Sequence, residues 1–547
     1  MEFGQPMHCD QIETSSRDTS GQDTSSHVVI VGAGVAGLYC ALKLAPRPVI
    51  LISATSLAED SFGATMQADI AAAVSAGDSP ESHAADMIAA GCGLVDEDAA
   101  RALARDAAAR IEDLARLGVT FDRDPRGALA TSRAAVHSAR RILSVRGDFT
   151  GQVIMAALAK AVRASPSIRL MEGYVADALL TDDGAVRGLR LRRADDAAAA
   201  PLLIAAPTIV LATGGVGHLF AVTTNPAHAN GIGLAIAARA GAVVADPEFV
   251  QFHPTAMAGQ DPAPVVSESL RGAGAILINR RGQRFMLPRH PLVDLAPRDT
   301  VARGIMAEIT AGRGAFLDAR DVLDEDVAER YPVLHRACVA AGLDPTRQPI
   351  PVAPAAHFHM GGIAVDARGR SSIDGLWAAG EVAATATDGA NHIAGNALLG
   401  ALVFANRIAE DIAGRTFAPC PALHDVKFAA PAGIDAPWGE QMLRDIMTGQ
   451  VGVIRDEDGL AEAVTTIARL ERDSLDPALR NMASAALLIA TAAWSRRESR
   501  GAHCRVDCPA ENPAFAQRTM TTLAAAREIA DELAARPTTR LPRSLSA

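Results

Sequence analysis

The chain has no apolar run long enough to span a bilayer, which excludes a membrane-spanning helix. Its stretch AAPTIVLATGGVG is apolar but short and broken by glycine, so a buried strand and loop are expected there. The first 26 residues are rich in Ser, Thr, Asp and Gln and lack the apolar core of a secretory signal. Residues 1–26 are therefore expected to be a disordered leader. Cysteine is sparse. The seven are scattered and odd in number, which suits a reducing cytoplasm rather than a disulfide framework. Cys504 and Cys508 stand near His503, but no second ligand pair follows at zinc-finger spacing, so no metal is expected. Basic residues are in the minority: 52 Lys and Arg against 63 Asp and Glu leave a formal charge of -11. That balance argues against nucleic acid as a partner. Should the substrate be acidic, local arginines and histidines must overcome the overall field. No internal repeat stands out.

At 547 residues the chain exceeds one ordinary core, so two or three domains are expected. The strongest local signal is HVVIVGAGVAGLYCALKLAPRPVILIS. The apolar run Val28 to Val31 leads into Gly32-x-Gly34-x-x-Gly37, then a helix, then a second β-branched run, Val49 to Ile52. This is the strand, turn and helix of a dinucleotide site. Gly32 permits the tight turn, Gly34 lets backbone approach a pyrophosphate, and Gly37 lets helix and strand pack closely. The helix N-terminus offers free N–H groups to the phosphates. The acid that usually ends the second strand is missing, for Ser53-Ala54 stands there.

Two further glycine-rich segments, IVLATGGVGHLF (209–220) and GRSSIDGLWAAGEVA (369–383), lie far along the chain. The expected class is α/β. A Rossmann-like domain forms from 27–242 and 354–416, and an α+β cap is inserted at 243–353. A Pro-rich linker (417–438) leads to a helical domain at 439–547.

The ordered set LATGGVGHLF, TTNP, EFVQFHPTA, SESLRGAGA, LAPRD, PAAHFHMGGI, GLWAAGEV and RRESRGAHCRVDCP resembles the flavoprotein family of succinate dehydrogenases and fumarate reductases. The segments at 78–100 and HSARRI (137–142) are similar to those of its L-aspartate oxidase branch. Phe62 aligns with the covalent flavin histidine of the dehydrogenases, so the resemblance implies non-covalent FAD. It implies oxidation of L-aspartate to iminoaspartate by hydride transfer, with oxygen or fumarate as acceptor. The product would pass to quinolinate synthase in NAD biosynthesis.

By the same resemblance Arg298 is the catalytic residue. His253, Thr255, Ser267, Glu268, His357 and His392 line the substrate site, with the histidines on its carboxylates and Glu268 facing its ammonium. Arg271 is expected to be structural. FAD is held by Gly32, Ala33, Gly34, Val35, Ala36 and Gly37 at the pyrophosphate, by Glu381 at ribityl or ribose hydroxyls, and by backbone at Ala397 and Leu398.

Several positions depart from the family's pattern. Its A-Q-G-G loop reads Met66-Gln67-Ala68-Asp69. Ile232 replaces an aspartate, Ala134 a glutamate near HSARRI, and His392 the substrate arginine. Losing one charge-assisted hydrogen bond of roughly 1.5–3 kcal/mol would weaken carboxylate binding about 10- to 100-fold. Three readings follow: a weaker aspartate oxidase, a paralogue oxidising another small dicarboxylate, or a catalytically silent FAD-binding protein.

Overall fold

The computed structural model describes residues 27–57, 68–196, 199–324, 326–417 and 438–536. The expected leader, Phe62, Met66, Gln67 and nearly all of the expected linker lie outside these residues.

Nine strands and eight helices carry the description. The strands are β1 (Val28–Val31), β2 (Val49–Ser53), β3 (Ile168–Glu172), β4 (Ile209–Leu211), β5 (Val250–Met257), β6 (Ile276–Ile278), β7 (Phe316–Asp318), β8 (Ile350–His359) and β9 (Leu376–Ala378). The helices are α1 (Val35–Leu44), α2 (Glu268–Gly272), α3 (Arg298–Thr310), α4 (Asn396–Ala413), α5 (Gly439–Gln450), α6 (Glu457–Asp473), α7 (Pro477–Ser495) and α8 (Leu523–Ala534).

Five strands form a parallel sheet in the order β9-β4-β1-β2-β3. All four residues of β1 and all five of β2 are buried, as expected for strands covered on both faces. The three glycine-rich segments thus meet at one sheet edge, because each follows a neighbouring strand at its C-terminal end. Ligands of such sheets collect there.

A second, antiparallel sheet runs β5-β8-β7-β6 and has its own apolar core, including Met257, Leu277, Ile305, Leu317 and Ile350. Strand β8 is continuous from 350 to 359, so it runs through the point between 353 and 354 where the sequence reading divided cap from nucleotide domain. The register explains this: β8 pairs with β7 at Pro351 and with β5 as far as His359, tying both regions together.

Helices α5 to α8 pack into the core on one face of the parallel sheet. A buried ionic cluster anchors them. Arg496 donates to Glu248 (2.5 Å) and Glu498 (2.8 Å), and Arg455 donates to the Glu248 carbonyl (2.9 Å). His503 belongs to this cluster: its Nδ1 accepts from Arg455 (2.7 Å) and its Nε2 donates to the Arg496 carbonyl (3.1 Å). Both ring nitrogens are therefore engaged, away from Cys504 and Cys508. Among the described residues no helix is long and apolar enough to cross a membrane.

Burial holds many histidines neutral. It pushes His83 and His359 down to about 4 and His357 to about 3, and it sets His253 and His503 well below the usual range. The unfolded chain takes up these protons below about pH 6.5 while the native chain does not. Stability is therefore full above that pH and is lost as pH falls toward the native values. Asp69 and Glu381, pushed up to about 6 and about 7, act with the opposite sign but are outnumbered. Stability is expected to fall between pH 6.5 and 4.5 by about 1.4 kcal/mol per pH unit for each unopposed histidine, and the melting temperature to drop steadily with it. A flat melting temperature across that window would contradict the assignment.

Candidate active site

A cavity of about 400 Å³ opens at the C-terminal edge of the parallel sheet. Ala33, Gly34, Val35, Ala36, Ser53, Gly214, Gly215, Glu381, Ala397 and Leu398 line it. Local geometry explains the glycines. Gly32 has φ +106° and its absent Cβ would sit 2.2 Å from the Ala212 carbonyl oxygen. Gly37 faces the Gly32 carbonyl oxygen at 1.9 Å from where a Cβ would lie. Gly34 by contrast has nothing within 4 Å on that side. It is the N-cap of α1, no side chain caps that helix, and its first turn holds no acid. Uncapped N–H groups facing a cavity suit a pyrophosphate.

Glu381 also lines the cavity. Its Oε1 accepts the His359 N–H (2.9 Å), and Gly215 has no room for a side chain against it. Burial pushes the Glu381 carboxyl up to about 7. A buried acid with a free oxygen suits a hydroxyl donor such as a ribose or ribityl group. Ser53, where an acid was missing, donates its hydroxyl to the Thr55 carbonyl (2.6 Å). Ile232 also lines the cavity, as the first residue of an eight-residue helix. The fit is to a flavin dinucleotide held without a ribose acid on β2.

Next to this cavity, β5 and β8 bring the second group together. Strand β5 carries Gln251, His253 and Thr255, and its register against β8 shifts between Gln251 and Phe252 and between His253 and Ala256. His253 and His357 meet edge to face, ring centres 5.1 Å apart. The Nδ1 of His357 is bonded to the Thr224 hydroxyl (2.8 Å). Burial, and then neighbouring positive charge including Arg298, keeps both rings neutral in the free site.

Arg298 begins α3, and its side chain is only 11% exposed. Its Nε donates to Glu268 (2.9 Å) and its Nη1 to the Gln251 amide oxygen (2.9 Å). The other Glu268 oxygen lies 3.4 Å from Arg271, whose Nη1 donates to the Asp294 carbonyl (2.6 Å). Burial favours the neutral acid, but the two guanidiniums overcome it and hold Glu268 below its ordinary range.

The expected roles shift accordingly. Glu268 is held between two arginines rather than left to face an ammonium. Ser267 caps α2 by accepting the Ser269 N–H (3.2 Å). The Thr255 hydroxyl donates to the Val266 carbonyl (2.9 Å) and is fully buried. Both shape the wall from behind. Arg271, expected to be structural, is buried and part of the ionic chain.

Several residues escaped the sequence reading. Gln251 joins Arg298 to the loop at 392, donating to the His392 carbonyl (2.9 Å). Its position two before His253 on a strand was the available signal. Asp388 accepts from His392 Nδ1 (2.6 Å), and Phe358 stacks on that ring with centres 4.0 Å apart. Asp69 also bears on the site: burial, then Asp148, pushes its carboxyl up to about 6 against the pull of Arg298.

Known proteins match this arrangement over most of its length. A family model described as FAD binding domain matches residues 27–398, and one described as fumarate reductase flavoprotein C-term matches 475–540. An L-aspartate oxidase from Caulobacter vibrioides is 47% identical over 503 residues, covering 90% of this chain and 96% of its own. The chain belongs to the L-aspartate oxidase family. Another member, from Agrobacterium fabrum, is 46% identical, covering 88% of this chain and 90% of its own. Among solved structures, the FrdA subunit of E. coli quinol fumarate reductase superposes with a TM-score of 0.81 at 27% identity, over 90% and 94% of the two chains. Mycobacterium smegmatis Sdh1 gives 0.78 at 29%, over 91% and 94%. Family membership fits both the three-part layout and the histidine pair beside Arg298.

The glycines make a discriminating pair. Gly34→Ala is expected to fold normally but bind FAD on the order of 10-fold more weakly, about the value of one hydrogen bond. Gly37→Ala is expected to lose about 1–3 kcal/mol of stability, since its Cβ meets backbone. Thermal melts and FAD titration measure both. Equal effects in the two variants would contradict the geometry.

Proposed function

We propose that this chain oxidises L-aspartate to iminoaspartate with non-covalently bound FAD, as the first step toward quinolinate and NAD. FAD, when bound, supplies the two-electron acceptor, to be reoxidised by oxygen or fumarate. Quinolinate synthase would consume the product, and the cytoplasm is the compartment that the cysteine usage suits. The observation that carries the reading is the Arg298 guanidinium. It is held between Gln251 and Glu268, beside two neutral histidines, at the edge of a dinucleotide cavity.

That geometry does three things for a dicarboxylate. Arg298 presents a fixed planar cation to one carboxylate, and Glu268 with Arg271 keeps it from rotating away. His253 and His357 are neutral in the free site, so each can donate to a carboxylate oxygen without first being stripped of a counter-ion. Burial on all sides limits water and fixes orientation, which matters because a displacement of about 1 Å costs on the order of 100-fold.

Arg298 is proposed as the catalytic residue on position and charge. Its permanently protonated guanidinium suits stabilisation of the reacting dicarboxylate better than proton abstraction. A second reading, oxidation of another small dicarboxylate, draws on Ala134 and His392. Together they remove one anion and one fixed cation relative to the family's pattern, which loosens selection between L-aspartate and succinate.

Two outcomes test the proposal. Acid precipitation of the yellow holoenzyme is expected to release all its flavin as FAD, and flavin retained in the pellet would contradict the non-covalent reading. Arg298→Ala is expected to keep FAD yet slow anaerobic flavin reduction by L-aspartate on the order of 1000-fold. Arg298→Lys recovers little of this, because the planar fork is lost. Reduction within a few-fold of the parent rate would exclude Arg298 from the chemistry.

A further inference from the structure

The ring of His392 is 4% exposed and fixed on three sides. Its Nδ1 lies 2.6 Å from Asp388 Oδ1, and the Asp388 side chain is 13% exposed. A carboxylate only accepts, so Nδ1 carries the hydrogen. Phe358, which lines the flavin cavity, stacks against the ring, and His357 lies within electrostatic reach. The remaining nitrogen, Nε2, has no hydrogen bond among the described residues. An imidazole oriented by a carboxylate through one nitrogen, with the other open, has the layout of a general base.

The reaction has need of one. L-Aspartate arrives with an ammonium, and its nitrogen must lose a proton before its lone pair can form the C=N bond. Arg298 is always protonated. Burial holds His253 well below the usual histidine range and His357 at about 3. The oxygens of Glu268 are engaged by Arg298 and Arg271, and Ala134 offers no acid.

We propose that the Asp388–His392 pair is the proton acceptor for the substrate ammonium. The N–H bond breaks and its proton moves to His392 Nε2, the positive ring being stabilised by Asp388. The nitrogen lone pair then forms the C=N bond as the Cα–H electron pair leaves with its hydrogen to the oxidised flavin. The product is the protonated imine. This inference rests on the aspartate reading above. Of the charged and titratable groups, His357 bears on His392 and Glu381 on Asp388, while Arg298 bears on His357 and on Asp69.

The test uses two ligands with opposite proton demands on the FAD-loaded enzyme. Reduction of the flavin by L-aspartate needs a free Nε2, so its rate should rise with pH. Succinate has no ammonium, and its carboxylate needs a donor at Nε2. Its binding, read from the flavin difference spectrum, should tighten as pH falls. In His392→Gln both slopes should flatten, and the L-aspartate reduction rate should drop on the order of 100-fold. His392→Arg separates base from clamp: its KM for L-aspartate should fall while its reduction rate falls with that of the Gln variant. Should His392→Gln lose FAD, Asp388→Asn carries the test. It keeps the bond but removes the charge, so both transitions should move to lower pH.

A parent enzyme that binds succinate but is never reduced by L-aspartate would overturn the aspartate reading and the inference together. If the parent is reduced but His392→Gln keeps its rate and both slopes, only the inference falls. The inference also falls if the slopes respond to Asp69→Asn instead, if Asp388→Asn moves neither transition, or if His392→Arg is reduced faster than the parent.

Discussion

The bond from Arg298 to Glu268 is the constraint on which the site depends. Glu268 begins α2, Arg298 begins α3, and Gln251, the other partner of Arg298, lies on β5. One guanidinium therefore fixes the mutual position of two cap helices and the strand that carries His253. Removing buried charges from water costs several kcal/mol per ion, so such a chain is weak as a source of stability. Its three members are instead held in one arrangement, because each loses its partners if it turns. That rigidity is what a site for a small, highly charged substrate needs.

Placement follows from how the chain returns to the sheet. The cap leaves after β4 and rejoins through β8, and β8 belongs to the antiparallel sheet while ending beside the flavin cavity. His357, Phe358 and the His359 N–H sit on that last stretch. One short segment thereby meets the ring of His253, the ring of His392 and the carboxylate of Glu381 in turn. The same strand thus joins the antiparallel sheet of the cap to the wall of the cavity.

Much of this was legible in the sequence for local reasons. A β-branched run, glycines at fixed offsets and a following helix specify β1, the turn and α1 within 20 residues, and nothing distant alters them. The segments that carry Arg298, His253 and His357 were found because each has a distinctive local pattern. The pairings were not legible. Gln251 reaches Arg298 across 47 residues and the His392 carbonyl across 141, and no local pattern encodes either contact. Glu268 read as a partner for an ammonium because its bond to Arg298, 30 residues further on, is visible only in three dimensions. The division at 353 cuts a strand for a related reason: the cap was placed at 243–353 between two glycine-rich segments, and the pairing that carries β8 across that point, Pro351 and Pro354 included, is long-range.

The formal charge of -11 raises the question of how an acidic protein draws in a molecule with two carboxylates. Screening supplies the answer. At physiological ionic strength the Debye length is about 8 Å, so most surface carboxylates are not felt at the site. Within that radius Arg298 and Arg271 oppose Glu268. Those three buried charges leave one net positive charge in the free site. The neutral rings of His253 and His357 add hydrogen-bonding groups beside it without adding charge. An arginine at 392 would add a further fixed cation. His392, bonded to Asp388 through Nδ1, instead presents an imidazole whose Nε2 makes no hydrogen bond among the described residues.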